Sequence, residues 1–200
     1  MEGAFDLDNA LTTQRIFRHI MYSFSYPLKV YNIFDGADNG SPDGENATLV
    51  ELCGVFLDNT VSLYVHDDAR LAAEIRETTY VRLAAIEDAD YVILKDTHDL
   101  NLLEKVSAGS LINPHKGATL IIIIPRIEGT ARFIAEGPGI NGRISVSADP
   151  AIADCLYKVA DLSIEYPQGF DILFLTGYGD ICAVPRHIEI HREEAVRWHM

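Results

Sequence analysis

Long hydrophobic runs, paired cysteines and basic residues are all scarce in these 200 residues. The longest apolar run, Leu120 to Pro125, falls far short of the roughly 20 residues a membrane-spanning helix needs. Met1 to Asp8 sets carboxylates beside Phe5 with no basic segment leading into an apolar one, so no secretory signal is expected. These two absences point to a soluble, cytoplasmic protein. Cys53, Cys155 and Cys182 are widely spaced, form no CxxC pair and sit in apolar stretches, as expected of reduced, structural thiols. Lys and Arg total 16 against 30 Asp and Glu, for a formal charge of -14 and a pI near 4.7. So acidic a chain lacks the cationic surface that a phosphate backbone requires. An anionic ligand would need a few arginines, backbone amides or a neighbouring subunit to override the overall field locally.

The common self-contained catalytic signatures are missing too. There is no P-loop, nucleophile elbow, HExxH or Ser-x-x-Lys. The lysines number five, Lys29, Lys95, Lys105, Lys116 and Lys158, and none lies in a recognisable Schiff-base context.

What is present is an alternation of helix and strand patterns with 48% hydrophobic content, enough for one sizeable core. Thr12 or Thr13 is the expected cap of a helix carrying Ile16, Phe17, Ile20, Met21 and Phe24, stopped by Ser25-Tyr26-Pro27. Leu28 to Phe34 reads as a strand, and Asp35 to Glu45 as a surface loop. Asn46 is the expected cap of a helix whose face is Leu49, Leu52, Cys53, Phe56 and Leu57. Val61, Leu63 and Val65 alternate like a half-buried strand, and Asp67-Asp68 opens a helix with Leu71, Ala72 and Ile75. Tyr91 to Leu94 and Leu120 to Ile124 have the continuous apolar character of strands buried on both faces, with a helical Leu100 to Val106 between them. Arg132 to Ala135 is a further strand and Pro150 to Asp161 a further helix; Asp171 to Leu175 and Ile181 to Val184 form a hairpin across Gly177 to Asp180. The expected architecture is a single α/β domain, residues 1–200, with a mixed sheet flanked by helices.

Gly137-Pro-Gly-Ile-Asn-Gly142 matches GxGxxG by letters, and Asp161 follows about twenty positions on. A dinucleotide site needs the last glycine to open a helix, whereas Arg143 to Ser147 reads as extended, so no NAD site is expected. His187-Ile-Glu-Ile-His191 places two imidazoles and the Glu189 carboxylate on one face of a strand. That ligand set suits first-row metals, but an edge strand with Ile188 and Ile190 inward explains every residue without an ion, and no metal is expected. Gln14 and Arg18 share a helical face. Arg186 emerges where Pro185 ends a strand.

Taken in order, the blocks Gln14-x-x-Phe17-Arg18, Ser25-x-Pro27, Gly117-Ala-Thr-Leu120, Gly137-Pro-Gly139-Ile140, Tyr166-Pro-Gln-Gly169-Phe-Asp171 and Val184-Pro185-Arg186 resemble the PhnH family, a subunit of the bacterial carbon-phosphorus lyase machinery. The resemblance runs from about Phe5 to Ile190, leaving 191–200 as a C-terminal tail. Where the family commonly has glycine after Ser-x-Pro, this chain has Leu28, and the threonines after the final Pro-Arg are replaced by His187 and Ile188.

The resemblance implies a fold like the large domain of pyridoxal-phosphate-dependent transferases without that cofactor, and a homodimer that joins other carbon-phosphorus lyase subunits. It implies a role in organic phosphonate catabolism, at the formation of α-D-ribose 1-methylphosphonate 5-triphosphate from methylphosphonate and a nucleoside triphosphate, with catalysis left to the partners. A phosphonate or phosphate anion held between Arg18 and Arg186 is the expected ligand, since a guanidinium fork donates two parallel hydrogen bonds. The rival is a free-standing small-molecule enzyme dependent on pyridoxal phosphate or on a metal at His187, Glu189 and His191.

Overall fold

The computed structural model describes residues 7–34 and 44–193. Most of the loop expected over Asp35 to Glu45, and residues 194–200 of the tail, lie outside the described residues. In chain order the elements are α1 (Leu7–Ser25), β1 (Val30–Asn32), α2 (Glu45–Phe56), β2 (Ser62–Val65), α3 (Ala69–Thr79), β3 (Arg82–Leu83) and β4 (Tyr91–Leu94). A 3-10 segment (Leu100–Lys105) leads towards β5 (Thr119–Ile123), β6 (Ala131–Glu136) and β7 (Arg143–Ala148). Then come α4 (Pro150–Asp161), β8 (Asp171–Leu175), β9 (Asp180–Val184) and β10 (Glu189–Arg192).

The main sheet has seven strands in the order β1-β9-β8-β5-β4-β2-β3. The run from β3 to β8 is parallel, while β9 and β1 close it antiparallel. The isoleucine run in the middle of the chain explains the layering. Side chains alternate across a strand, so Leu120, Ile122 and Ile124 enter the core covered by α4, whereas Ile121 and Ile123 enter the one covered by α1, α2 and α3. Burial on both faces is what a continuous apolar strand demands. At roughly 25 cal/mol per Å² of apolar surface, each such side chain contributes about 1.5–3 kcal/mol.

The sequence pattern anticipates one sheet, and the structure has two. β10-β6-β7 form a separate three-stranded antiparallel sheet packed on the α4 side, where Phe133 and Ala135 are fully buried. Two helix starts also differ from expectation. α1 begins well before Thr12, and α2 is entered through Gly44 at φ 92°, so Asn46 lies inside the helix rather than capping it. Asp68 and Asp149 cap α3 and α4 through side-chain bonds from Leu71 N–H (2.9 Å) and Ala151 N–H (3.0 Å).

The link from α1 to β1 wraps the end of β9. Ala183 donates its N–H to the buried Ser23 hydroxyl at 2.7 Å, and its carbonyl accepts from Leu28 N–H at 3.0 Å. Leu28 holds φ at +65°, the left-handed region where a Cβ costs roughly 1–2 kcal/mol. This is the position where glycine is common in the resembled family, and the backbone shows why. Leu28 keeps a partly buried side chain against the α4-side core. The usual ranking should therefore invert here: Leu28→Ala loses packing and retains the strain, whereas Leu28→Gly loses packing and releases it. Urea unfolding should place Leu28→Gly about 0.5–1 kcal/mol above Leu28→Ala.

All three thiols are free and buried. Burial pushes Cys155 and Cys182 up to about 12, and Cys53 higher still. Since the thiolate is the reactive form, Ellman's reagent at pH 8 should leave native protein unmodified and label all three together on unfolding.

Candidate functional site

Arg186 follows the strand-ending Pro185 and is anchored on every side. Its backbone N–H donates to Asp171 Oδ1 at 3.0 Å and its Nε to Asp171 Oδ2 at 3.1 Å, with Nη2 on the same oxygen. Nη1 donates to the Pro114 carbonyl at 2.6 Å and Nη2 reaches the Gly117 carbonyl at 3.4 Å. Two glycines make room. A Cβ on Gly117 would stand 2.7 Å from Arg186 Nη1, and one on Gly169, at φ +138°, would stand 3.1 Å from Arg186 Cβ. Three of the sequence blocks, those containing Gly117, Gly169 to Asp171, and Pro185-Arg186, thus converge on one guanidinium.

Beside this clamp lies a groove of about 880 Å³ between α4, the loop into β8 and the segment from Val184 to His191. Its walls are mixed: Leu156, Val159, Phe170 and Ile188 are among the apolar residues, and Gln168, Arg186, His187, Glu189 and His191 are among the polar ones. Arg186 contributes little free positive charge here, because Asp171 neutralises it. None of the five lysines lines this groove; Lys95 pairs with Asp68 and Lys158 with Glu104.

The remaining sequence candidates divide between two places. Gln14, Phe17 and Arg18 are exposed on α1, and Arg18 is not among the groove residues that Arg186 joins. Ser25 and Pro27 pack against the turn after β6: a Cβ on Gly139 would meet Pro27 Cδ at 2.6 Å and the Ser25 carbonyl at 2.8 Å. Gly137 at φ +142° lies against the His187 carbonyl and Ile188. Arg143 to Ser147 is indeed extended, within β7, so the GxGxxG letters open no helix.

The potential metal ligands are regrouped. Glu136, Glu189 and His191, rather than His187, bring ligand atoms within 4.8 Å of one another. Glu136 and Glu189 are direct cross-strand partners, a like-charge pairing that needs compensation. Arg143 supplies it through both Glu136 oxygens (2.7 and 3.2 Å), and His191 Nε2 lies 2.9 Å from the same carboxylate. These bonds hold Glu136 below the ordinary glutamate range. Sequence reasoning missed Glu136 because only the β6-β10 pairing brings it to His191, across 55 positions.

A family model described as bacterial phosphonate metabolism protein (PhnH) matches residues 4–191. The chain belongs to that family. A Stutzerimonas stutzeri protein, HtxG, whose name marks it as a proposed C-P lyase subunit, is 26% identical over 194 residues, covering 97% of this chain and 93% of that one. A Rhizobium meliloti (strain 1021) protein named alpha-D-ribose 1-methylphosphonate 5-triphosphate synthase subunit PhnH is 25% identical over 202 residues, covering 96% of each.

For this PhnH-family chain the Arg186 geometry gives a definite stability expectation. Arg186→Leu strands the Asp171 carboxylate and two carbonyls, at side-chain exposures of only 15% and 27% for the pair. It should lower unfolding free energy by about 2–4 kcal/mol in a denaturant titration. Arg186→Lys should recover part of that, since one ammonium cannot reproduce the fork.

Proposed function

We propose that this chain is a non-catalytic subunit of a carbon-phosphorus lyase assembly, needed for the step that forms α-D-ribose 1-methylphosphonate 5-triphosphate from methylphosphonate and a nucleoside triphosphate. The observation that carries the reading is the family match over nearly the whole chain. The chemistry of the described residues agrees with it. The thiols are buried, Lys95 and Lys158 are engaged by carboxylates, and the guanidinium beside the groove is already neutralised. A cytoplasmic homodimer, and a fold like the large domain of pyridoxal-phosphate-dependent transferases without pyridoxal phosphate, belong to the same proposal and rest on the family resemblance. So does a bound phosphonate or phosphate anion. Of the two arginines first assigned to it, Arg186 would have to give up Asp171, whereas Arg18 stands exposed on α1. The Arg186 contacts support the role of a clamp for that residue more directly.

A second reading, a metal-dependent enzyme, is favoured by the Glu136, Glu189 and His191 grouping. It requires Arg143 to release Glu136. Metal analysis of purified protein separates the two readings.

Reconstitution tests the proposal. The remaining subunits without this chain should form no ribose methylphosphonate triphosphate, the chain alone should form none, and mixing should restore the product. Turnover by the chain alone would replace the proposal with an enzyme.

A further inference from the structure

The outward face of α1 stands apart from the rest of this acidic molecule. From Asn9 to Phe34 there is no Asp or Glu, in a chain with 30 of them. Ile16, Ile20 and Ser23 point into the core. The opposite arc shows Leu11, Phe17, Met21 and Tyr22, each 45 to 54% exposed, interleaved with exposed Gln14 and Arg18. The surface continues past the helix through Tyr26 (47%), and Lys29 Nζ sits 5.0 Å from the centre of the Tyr26 ring.

Half-exposed side chains of this size present apolar surface on the order of 500 Å², given roughly 150–250 Å² for each aromatic. That is as large as the largest apolar patch on an ordinary monomer. It also matches the apolar share, about 60%, of the roughly 800 Å² that each partner gives to a stable interface. Aromatic, Met and Arg side chains with no carboxylate are the composition of an interface centre.

We infer that the α1 face, from Leu11 to Lys29, is the docking surface for a different protein of the assembly, one presenting an apolar centre rimmed by Asp and Glu. This rests on the proposed membership of a carbon-phosphorus lyase complex. Charge selects the occupant. A second copy meeting this face around a two-fold axis would set one acid-free face carrying Arg18 and Lys29 against an identical one, whereas an acidic rim would pair with them. A homodimer therefore uses another surface.

The test compares full-length chains co-expressed with the other subunits of the assembly. Phe17→Glu with Met21→Glu, and separately Arg18→Glu, replace exposed groups; Ile112→Glu, at a residue 89% exposed outside this face, is the control. Wild type and Ile112→Glu should co-elute with the assembly. The α1 variants should bind at least tenfold more weakly, as expected when a central interface side chain is lost. They should keep the wild-type thermal melt and, alone, the wild-type mass by light scattering. Co-elution of the α1 variants at wild-type affinity overturns the surface while leaving membership intact. A fall in mass of the isolated α1 variants makes the occupant a second copy and overturns the inference. Failure of wild type to co-elute overturns membership, and the docking surface with it.

Discussion

The Arg186 to Asp171 pair is the contact through which distant parts of this fold are held in register. Asp171 opens β8, Arg186 follows the end of β9, and the carbonyls of Pro114 and Gly117 lie just before β5. One guanidinium therefore ties together the entry of two central parallel strands and the exit of their antiparallel neighbour. A planar fork with several donors suits this, because backbone carbonyls and a carboxylate approach it from different directions. Side chains at 117 and 169 would obstruct that approach. The cost is that the charge is consumed locally and leaves little for an external anion.

How much of this was legible in the sequence depended on the range of the signal. The period-two split of Leu120 to Ile124 between two cores, the Asp68 cap and the β8-β9 hairpin all follow from neighbours a few positions apart, and each stands where the pattern puts it. The second sheet did not declare itself, because β6 and β7 carry unremarkable alternation and their partner β10 is distant in sequence. Arg186 was visible as a residue of interest, but its role was not. Its carbonyl partners lie 69 and 72 positions away, and no local rule distinguishes a guanidinium awaiting a ligand from one already enclosed. Leu28 shows the reverse: a departure from a family pattern became intelligible only once its φ was known.

Charge is distributed with the same economy. Most carboxylates that face cations here do so in exposed pairs such as Arg143 with Glu136 or Arg192 with Asp161, which contribute little stability. The surplus of acid serves solubility and disfavours indiscriminate association. Against that background an acid-free helix face is where association meets the least electrostatic opposition.

The two unassigned surfaces lie on opposite sides of the main sheet. α1 covers the core containing Ile121 and Ile123, while the groove is built on the core containing Ile122 and Phe174. A helix layer sits about 10 Å from the sheet it covers, so a body bound at one surface leaves the other open. The seven-stranded sheet between them, whose central strands are buried on both faces, is a stiff spacer. An occupant at α1 thus neither blocks the groove nor needs to deform it, and that independence is what a chain joining neighbours within an assembly requires.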